Sequence, residues 1–502
     1  MSFAVQAISR FPRLSLYPWI VDLGAENQIE HYLRDPSHRG DPGEGAFTGA
    51  SGGAACGDLV RLSLETSSTG EIRRVTAEAE GCAAIRASAA CLAGMVDGSG
   101  LLDAARITPD DLDAELGGLS AVSVHAAVLA VDALHRAITV AASSGATIAT
   151  AAPDRVCVAV SGGVDSAVAA LMQRDAGLEP VGITVKLWAD PETDGARACC
   201  SPEAVLSARA VTHSLGLAHI TLDLEEQFRS SVVAGFVEGY RTGKTPNPCI
   251  LCNGSVRIDA MSDLAERIGA DRLVTGHYAD LVHDGEGVLV AEASDPKKDQ
   301  SYMLAAIAPE RLERLDFPLA RTTKVRVREI AEENGLSVAR KPESQDLCFL
   351  AGTGKEAFLA RHGGIGDREG DVVDAGGKVL GRHRGHHQFT VGQRRGLGVA
   401  TGEPRYVTGI DAASNTVTIG DLDELTVERV GLARVTLHRD GSTVDRIRLR
   451  YRSDPVPAKV DAPVGIHDRV DVVLGHGFAG AAPGQTAVLM RGKAVVGHGT
   501  IE

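Results

Sequence analysis

Two groups of residues in this chain have types and spacings that can do chemistry. The first is Ser161-Gly162-Gly163-Val164-Asp165-Ser166. It follows the β-branched run Arg155–Val160 and precedes the helix-forming run Ala167–Met172, so it reads as strand, tight turn, helix. Such a turn brings several backbone N–H groups and a helix N-terminus to one point, which makes an anion site. Ser161 and Ser166 add hydroxyl donors. No Gly-x-x-x-x-Gly-Lys-Ser/Thr occurs here, so the common P-loop is excluded. The second group is thiols. Thr245-Pro246-Asn247-Pro248-Cys249-Ile250-Leu251-Cys252-Asn253 joins two predicted helices, and its two prolines predict a rigid, exposed loop. Its Cys-x-x-Cys spacing suits a metal or cluster pair, or a redox pair. Cys348 lies in Lys341-Pro342-Glu343-Ser344-Gln345-Asp346-Leu347-Cys348-Phe349. Spacing alone does not bring Cys348 to Cys252, and the commonest fate of a lone cysteine is burial as a small hydrophobe. Cys157 alternates within a strand and reads as core. The adjacent Cys199 and Cys200 receive no role.

The elements that must position these groups follow from periodicity. Past Pro153, strands and helices alternate: strands at 180–188, 218–222 and 272–278, helices at 201–215 and 225–240. This alternation predicts a parallel sheet with crossover helices. Ligands bind at the carboxyl ends of such strands, where the Gly-Gly turn falls. Beyond about Gly352 the pattern changes to short β-rich runs with Gly/Asp turns, and the last hundred residues read as a small barrel or sandwich. Residues 141–152 are small and uncharged and read as a linker. A compact unit of about 110 residues precedes it, within the usual size of a domain.

A chain of 502 residues predicts three or four domains. There is no uninterrupted apolar run of about 18 residues, so no membrane partner is expected. Met1 to Leu23 lacks a continuous apolar core and a cleavage site, and reads as an N-terminal extension of a cytoplasmic protein. Nine clustered cysteines suggest reduced, working thiols. A net charge of −15 argues against indiscriminate nucleic-acid binding. Two local basic stretches remain, Arg382–His387 continuing to Arg394-Arg395, and Arg446–Arg452. From charge alone each reads first as a solvated strand face.

The Ser-Gly-Gly-x-Asp-Ser form resembles the PP-loop of ATP pyrophosphatases, which cleave ATP between the α and β phosphates. From about Arg155 to Glu502 the chain resembles the tRNA-specific 2-thiouridylases. The pieces that carry this are Val160–Ser166, Lys186-Leu187-Trp188, Gly243–Pro248, Thr275-Gly276-His277-Tyr278, Lys298–Tyr302, Ser344–Phe349, Thr390–Gly398, Arg450-Tyr451-Arg452 and Pro483-Gly484-Gln485. The resemblance implies ATP-dependent thiolation of C2 of the wobble uridine in tRNA, with ATP and Mg²⁺ as cofactors. A cysteine desulfurase or sulfur relay protein is the implied sulfur donor. Carried over residue by residue, Ala159, Val160, Ser161, Gly162, Gly163, Val164, Asp165 and Ser166 hold the ATP phosphates, and Val185 and Gly276 touch adenosine. Asn247, Pro248 and Cys249 lie at the target base. Lys298, Asp299, Gln300, Arg450 and Tyr451 contact tRNA. Cys252 is one catalytic thiol and Cys348 the persulfide carrier. Many members carry Asp where this chain has Cys249. That departure opens a second account, in which Cys249, Cys252 and Cys348 bind a [4Fe–4S] cluster with one open iron. Asp165 is expected to position Mg²⁺ or another group of the ATP site.

Residues from about His31 to Ser144 resemble the U-type iron–sulfur scaffold proteins, on His31-Tyr32, Asp35-Pro36, Ala55-Cys56-Gly57-Asp58, Gly81–Ser88 and Val124-His125 before a helix at 127–137. Cys56, Asp58, Cys82 and His125 are the implied ligands. Thiolates with a carboxylate and an imidazole suit labile iron or zinc. The family's third cysteine would follow His125, where this chain has Ala126. Cys91 is a substitute of poor helical phase. Metal or sulfur handling and a degenerate docking module both stay open.

The fold expected is multidomain α/β. An extension (1–30) precedes an α+β scaffold-like domain (31–140) and a linker (141–152). A parallel-sheet PP-loop domain of the adenine nucleotide α-hydrolase type (153–351), a small connecting domain (352–415) and a C-terminal β-barrel (416–502) follow. Two other functions are weighed. An amide-forming PP-loop ligase has no need of Cys252 and Cys348. A non-catalytic iron–sulfur carrier with a regulatory nucleotide site binds metal without releasing pyrophosphate.

Overall fold

The computed structural model describes residues 25–53, 57–188, 190, 202–342, 347–350, 353–400 and 402–502. Cys56, Cys199 and Cys200 lie outside the described residues. Two compact units form. One holds the described residues up to Glu65 with Arg73–Asp97 and Ile107–Ala137, and the other holds Thr66–Ile72, Gly98–Arg106 and Ile138–Glu502.

The first unit is α+β. Its antiparallel sheet is built from Phe47–Gly52, Leu59–Thr66 and Ile72–Glu80, in chain order. Leu59–Thr66 buries Val60, Leu62 and Leu64 completely on the inner face, as a half-buried strand of period two requires. Helix Ala83–Val96 begins directly after Cys82. The helix foreseen at 127–137 runs from His125 to Ser143, so it starts at the histidine itself. This helix is long and apolar enough to cross a membrane by length and composition, but 61% of its most apolar window is buried. It reads as a core helix.

In the second unit, five parallel strands form a sheet in the order Leu315–Asp316, Arg272–Thr275, Arg155–Ala159, Glu179–Lys186, Ala218–Asp223. Chain order reverses at the central strand Arg155–Ala159, so the crevice at its carboxyl end is the natural ligand site. Apolar residues line both faces of that strand, with Val156, Cys157 and Val158 all buried. The expectation that Cys157 is core holds.

Residues 141–152 are not a loose tether. Arg267 donates to Ala142 O and Ala146 O at 2.8 and 2.9 Å, Ile148 N–H donates to Arg267 O at 2.8 Å, and Ile148 is fully buried. Small side chains let the backbone lie against Arg267, whose Nη1 satisfies two of its carbonyls.

A four-stranded sheet of Val379–His383, Gly370–Val373, Thr416–Gly420 and Tyr406–Asp411 follows. Thr416–Gly420 pairs with Tyr406–Asp411 as a hairpin, so the boundary expected at 415/416 falls after Gly420 instead. The reason is the turn at Asn415, whose φ of 55° reverses the chain rather than ending a domain. The last domain is a closed barrel of six strands, in the order Thr426–Leu437, Gly465–Ala479, Val456–Val460, Arg446–Arg448, Thr486–Arg491, Ala494–Ile501, with the last pairing to the first. A hairpin from the parallel-sheet domain, Ala279–His283 and Val288–Glu292, adds to it beside Ala494–Ile501.

Candidate active site

The strand Arg155–Ala159 ends in the Gly-Gly turn, and helix Val164–Asp175 starts at once with Gly163 as its N-cap. Gly162 sits at φ +69°, where a Cβ is strained. The turn is braced internally: Ser161 N–H donates to Ser166 Oγ at 3.1 Å, and Ser166 Oγ–H donates to Gly163 O at 3.1 Å. Thr184 donates to Val160 O at 2.7 Å from the neighbouring strand, which fixes the point where the turn begins. Gly276, at the end of the adjacent strand, lies against the start of the helix. A Cβ there would stand 2.8 Å from Ser166 N.

This turn forms the floor of a cavity of about 1140 Å³. Ala159, Ser161, Gly162, Gly163, Val164, Asp165, Ser166 and Gly276 line it, together with Lys298, Asp299, Gln300 and Tyr451. Val160 and Val185 are buried in the sheet and do not line it. Asp165 is engaged: both carboxylate oxygens lie 2.7 Å from Lys324 Nζ, and Tyr278 OH donates to Oδ1 at 2.8 Å. Lys341 Nζ donates to Gly162 O at 2.9 Å. Lys324, Lys341 and Tyr278 were given no role from sequence. Tyr278 sat in a quoted motif, and Lys341 opened the Cys348 segment. Lys324 carries no local signal, since its partner is 159 residues away. His277 also faces the cavity, and burial with the nearby Arg257 charge pulls its pKa down to about 3, so the imidazole is neutral.

The far wall comes from the barrel. Arg448 makes an ion pair with Asp299 at 2.9 Å and another with Glu292. Asp299 also accepts from Ala293 N–H and from the Ser301 hydroxyl, at 3.0 and 2.9 Å, so its carboxylate is committed to folding the loop. Gln300 accepts from Tyr278 N–H at 2.9 Å. All three members of the Lys298-Asp299-Gln300 triplet line the cavity, and Asp299 and Gln300 also hold its wall together. Arg450 is half-buried and donates to Val391 O at 3.2 Å and to Gly480 O. Its guanidinium ties the connecting domain to the barrel.

The Cys249–Cys252 segment is helical, which corrects the exposed loop expected from its prolines. Pro248 is the first residue of a short helix, Pro248–Leu251, where its missing N–H costs nothing, and Asn247 Oδ1 caps it by accepting from Cys249 N–H at 3.2 Å. A widened helical turn, Cys252–Arg257, continues into helix Ile258–Arg267. Cys252 and Pro248 are buried, and Cys249 is half-buried. Cys249 and Cys252, three apart on a helix, share a face. Tyr302 hydrogen-bonds with Asn247 and donates to Thr486 O at 2.6 Å, and its ring lies 5.8 Å from that of Tyr451. Cys348 opens a short turn, Cys348–Leu350. Phe349 is buried 5.7 Å from Phe228 and 5.2 Å from Phe236. The turn Glu225–Phe228 also packs on Cys252–Arg257, so both thiol segments flank one aromatic cluster.

In the first unit, Asp58, Cys82 and His125 place one ligand atom each within 4.8 Å of one another. His125 Nε2–H donates to Asp58 Oδ2 at 2.8 Å, and Cys82 N–H donates to Asp58 Oδ1 at 3.0 Å. The His125 hydrogen bond, then the Cys82 N–H, hold the Asp58 carboxyl below its usual range. This donor set fits iron or zinc. Ala126 is fully buried, and burial, with a smaller push from the Glu115 charge, drives the Cys91 thiol up to about 12 against a hydrogen bond from Tyr32 that lowers it. Cys91 therefore does not replace the missing ligand.

Comparison with known proteins covers nearly the whole chain. Family models match as a NifU-like N terminal domain over 25–166, a tRNA methyl transferase HUP domain over 154–352, a tRNA methyl transferase PRC-barrel domain over 356–421 and an aminomethyltransferase beta-barrel domain over 423–501. A protein of Rubrobacter xylanophilus named bifunctional protein NifU/MnmA is 40% identical over 485 residues, covering 94% of this chain and 97% of its own. The tRNA-specific 2-thiouridylase MnmA of Mycobacteroides abscessus is 41% identical over 361 residues, 69% of this chain and 99% of its own. That of Syntrophotalea carbinolica is 42% identical over 351 residues, 69% and 98%.

Proposed function

This chain belongs to the tRNA-specific 2-thiouridylases, in their bifunctional NifU/MnmA form, and is a PP-loop enzyme of tRNA thiolation; we propose that it replaces the C2 oxygen of the wobble uridine with sulfur through an adenylated base. The observation that carries this reading is one cavity with the glycine turn at its floor and Tyr451 in its wall, joined through Tyr302 to Asn247 of the Cys249 segment. A nucleotide held by the turn and a base extruded from tRNA meet there.

The uridine oxygen attacks the α-phosphorus. The O2–P bond forms, the bond to the β-phosphate oxygen breaks with its electron pair, and pyrophosphate leaves. AMP is then a good leaving group on C2. Cys348 carries a terminal sulfur as a persulfide. The Cys252 thiolate attacks Cys348 Sγ, a disulfide forms, and the terminal sulfur departs with the electron pair. That sulfur adds to C2, and AMP leaves with the oxygen. A dithiol reductant then restores both cysteines. The thiolate suits this step near neutral pH, where a hydroxyl does not. The shared aromatic cluster supports the pairing of these two segments.

A [4Fe–4S] cluster, which the three soft thiols Cys249, Cys252 and Cys348 fit by donor chemistry, would supply an open iron to hold the incoming sulfur. Asp58, Cys82 and His125, with Cys56, would hold iron or zinc in the first unit and bring sulfur or metal to the enzyme. Lys298 and Tyr451 meet the tRNA, and the reaction runs in the cytoplasm with a cysteine desulfurase or relay protein as donor.

The test gives the intact protein ATP, unmodified tRNA and a cysteine desulfurase with cysteine, and reads 2-thiouridine by mass spectrometry alongside pyrophosphate. One pyrophosphate per thiolated uridine is expected. Metal binding without pyrophosphate release would make the chain a carrier. Pyrophosphate release with amide formation and no thiolated base would make it a ligase.

A further inference from the structure

We infer that Asp165 is the positioning residue of Lys324 rather than a metal ligand, and that Lys324 with Lys341 binds the pyrophosphoryl half of the nucleotide. The inference rests on the proposed function only in taking ATP as that nucleotide.

A magnesium ion needs near-octahedral oxygen ligands and takes one or two carboxylates beside the phosphates. The Asp165 carboxylate does not fit that part as it stands. Lys324 Nζ lies 2.7 Å from each of its oxygens, and the Tyr278 hydroxyl uses Oδ1 as well. An incoming cation would have to expel an ammonium from a pair in which the lysine side chain is only 11% exposed. Of the other carboxylates lining the cavity, Asp299 and Glu292 are paired with Arg448, which leaves, among the described residues, Glu203, beside the turn, and Asp454 as the acidic groups that face it otherwise.

The glycine turn alone is a weak anion site for a triphosphate. A helix N-terminus offers about half a positive charge. The pyrophosphate that leaves carries several negative charges, and they grow on the bridging oxygen as the bond breaks. Two ammonium groups stand at this turn, Lys324 on Asp165 and Lys341 on Gly162 O at 2.9 Å. Both line the same cavity as the turn. They reach it from different elements. Lys324 is the first residue of helix Lys324–Glu333, capped by Thr323, and Lys341 precedes Pro342. Asp165 compensates the buried Lys324 ammonium and fixes its direction, which is the preorganisation that charge stabilisation requires. A phosphate oxygen arriving at the turn meets ammonium groups already aimed.

The test is calorimetric binding of inorganic pyrophosphate and of ATP to the full chain, each with magnesium and with EDTA, for Lys324→Met, Lys341→Met, Asp165→Asn and Lys324→Arg. Thermal melting and tRNA binding report folding. Lys324→Met is expected to weaken pyrophosphate about tenfold to a hundredfold with or without magnesium, the loss typical of a charged hydrogen bond. Lys341→Met should weaken it less, because that side chain is exposed. Asp165→Asn should weaken metal-free pyrophosphate too, and should add little to Lys324→Met in the double variant. Lys324→Arg should retain most of the affinity. If Asp165→Asn loses affinity only when magnesium is present, Asp165 is a metal ligand and the inference fails. If Lys324→Met binds metal-free pyrophosphate like the parent, it fails as well. Parent protein that binds pyrophosphate but not ATP would sink the proposed function while leaving the lysine pair standing.

Discussion

Gly276→Ala is the sharpest perturbation of the nucleotide site, because it adds one methyl group and changes no charge. Gly276 follows strand Arg272–Thr275, which runs parallel to the strand that delivers the glycine turn, with Thr275 opposite Ala159. Its φ is not in the left-handed region, so alanine suits the backbone. The obstacle is space. The new Cβ would stand 2.8 Å from Ser166 N, 2.9 Å from Asp165 C and 3.0 Å from Ser166 Cα. Comfortable contact is about 3.5 Å, so the gap is short by roughly 0.7 Å. All three atoms are backbone in the first turn of helix Val164–Asp175, and no side-chain rotation relieves them. Strand and helix must separate, and the turn moves with them. A misplacement of about 1 Å costs around a hundredfold in rate. A shift of this size should lower kcat/KM for ATP by about tenfold to fiftyfold, or roughly 1.4–2.3 kcal/mol. Steady-state thiolation at varied ATP reads the loss, calorimetry shows its share in binding, and circular dichroism verifies the fold. A Gly276→Ala enzyme with parental ATP affinity and turnover would show that the close approach does not position the turn.

Cys252→Ser and Cys348→Ser should each abolish thiolation while sparing ATP binding and adenylation; turnover by either variant would remove that thiol from the reaction. Cys249→Ala should leave a persulfide enzyme active, and its loss of iron from anaerobically purified protein, measured against Cys82→Ala, would assign that iron to the catalytic unit. Asp284 is half-buried between Arg439, at 2.7 Å, and Arg491, and hydrogen bonds from Arg439 hold its carboxyl well below the usual range. A carboxyl lowered in the folded state stabilises fully above its unfolded pKa, near 4, and loses that contribution as pH falls toward the folded value. Asp284→Asn should therefore cost about 2–4 kcal/mol at pH 7 and progressively less in acid, read by denaturant melts from pH 7 to 2; an equal loss at every pH would rule out the ion pairs as its source. Arg450→Ala should weaken tRNA binding through loss of its ties to Gly480 and Val391, with the salt dependence unchanged; a slope reduced by about one would assign it a phosphate contact instead.

The parts of this site that were legible in the sequence are those whose chemistry is local. A β-branched run, two glycines and a helix start within a dozen residues could place the turn, because strand, N-terminus and carboxyl-end crevice all follow from consecutive residues. Asp58, Cys82 and His125 come from three separate segments, and here the resemblance carried what spacing could not. Errors arose where position within an element mattered. Pro248 was read as forbidding helix, but at the first helical position its ring starts one and buries Cys252. Thr416–Gly420 was assigned to the barrel, although its partner is Tyr406–Asp411. Long-range electrostatics left no trace in sequence. Lys324 on Asp165 and Arg448 between Asp299 and Glu292 are pairs spanning some hundred and fifty residues. Asp299 and Arg450 were expected at the tRNA, yet their visible work is internal.

The hairpin Ala279–Glu292 has an outcome for how this molecule can be cut. It leaves the catalytic domain, adds to the barrel beside Ala494–Ile501, and returns directly into the Lys298–Gln300 loop. Deleting the C-terminal domain would strip that hairpin of its neighbour and expose a bare strand edge, prone to self-association. The loop would also lose Arg448, its counter-charge. Truncation at the start of the barrel should thus yield not a smaller nucleotide-binding protein but an aggregating one, and protease should release both regions together.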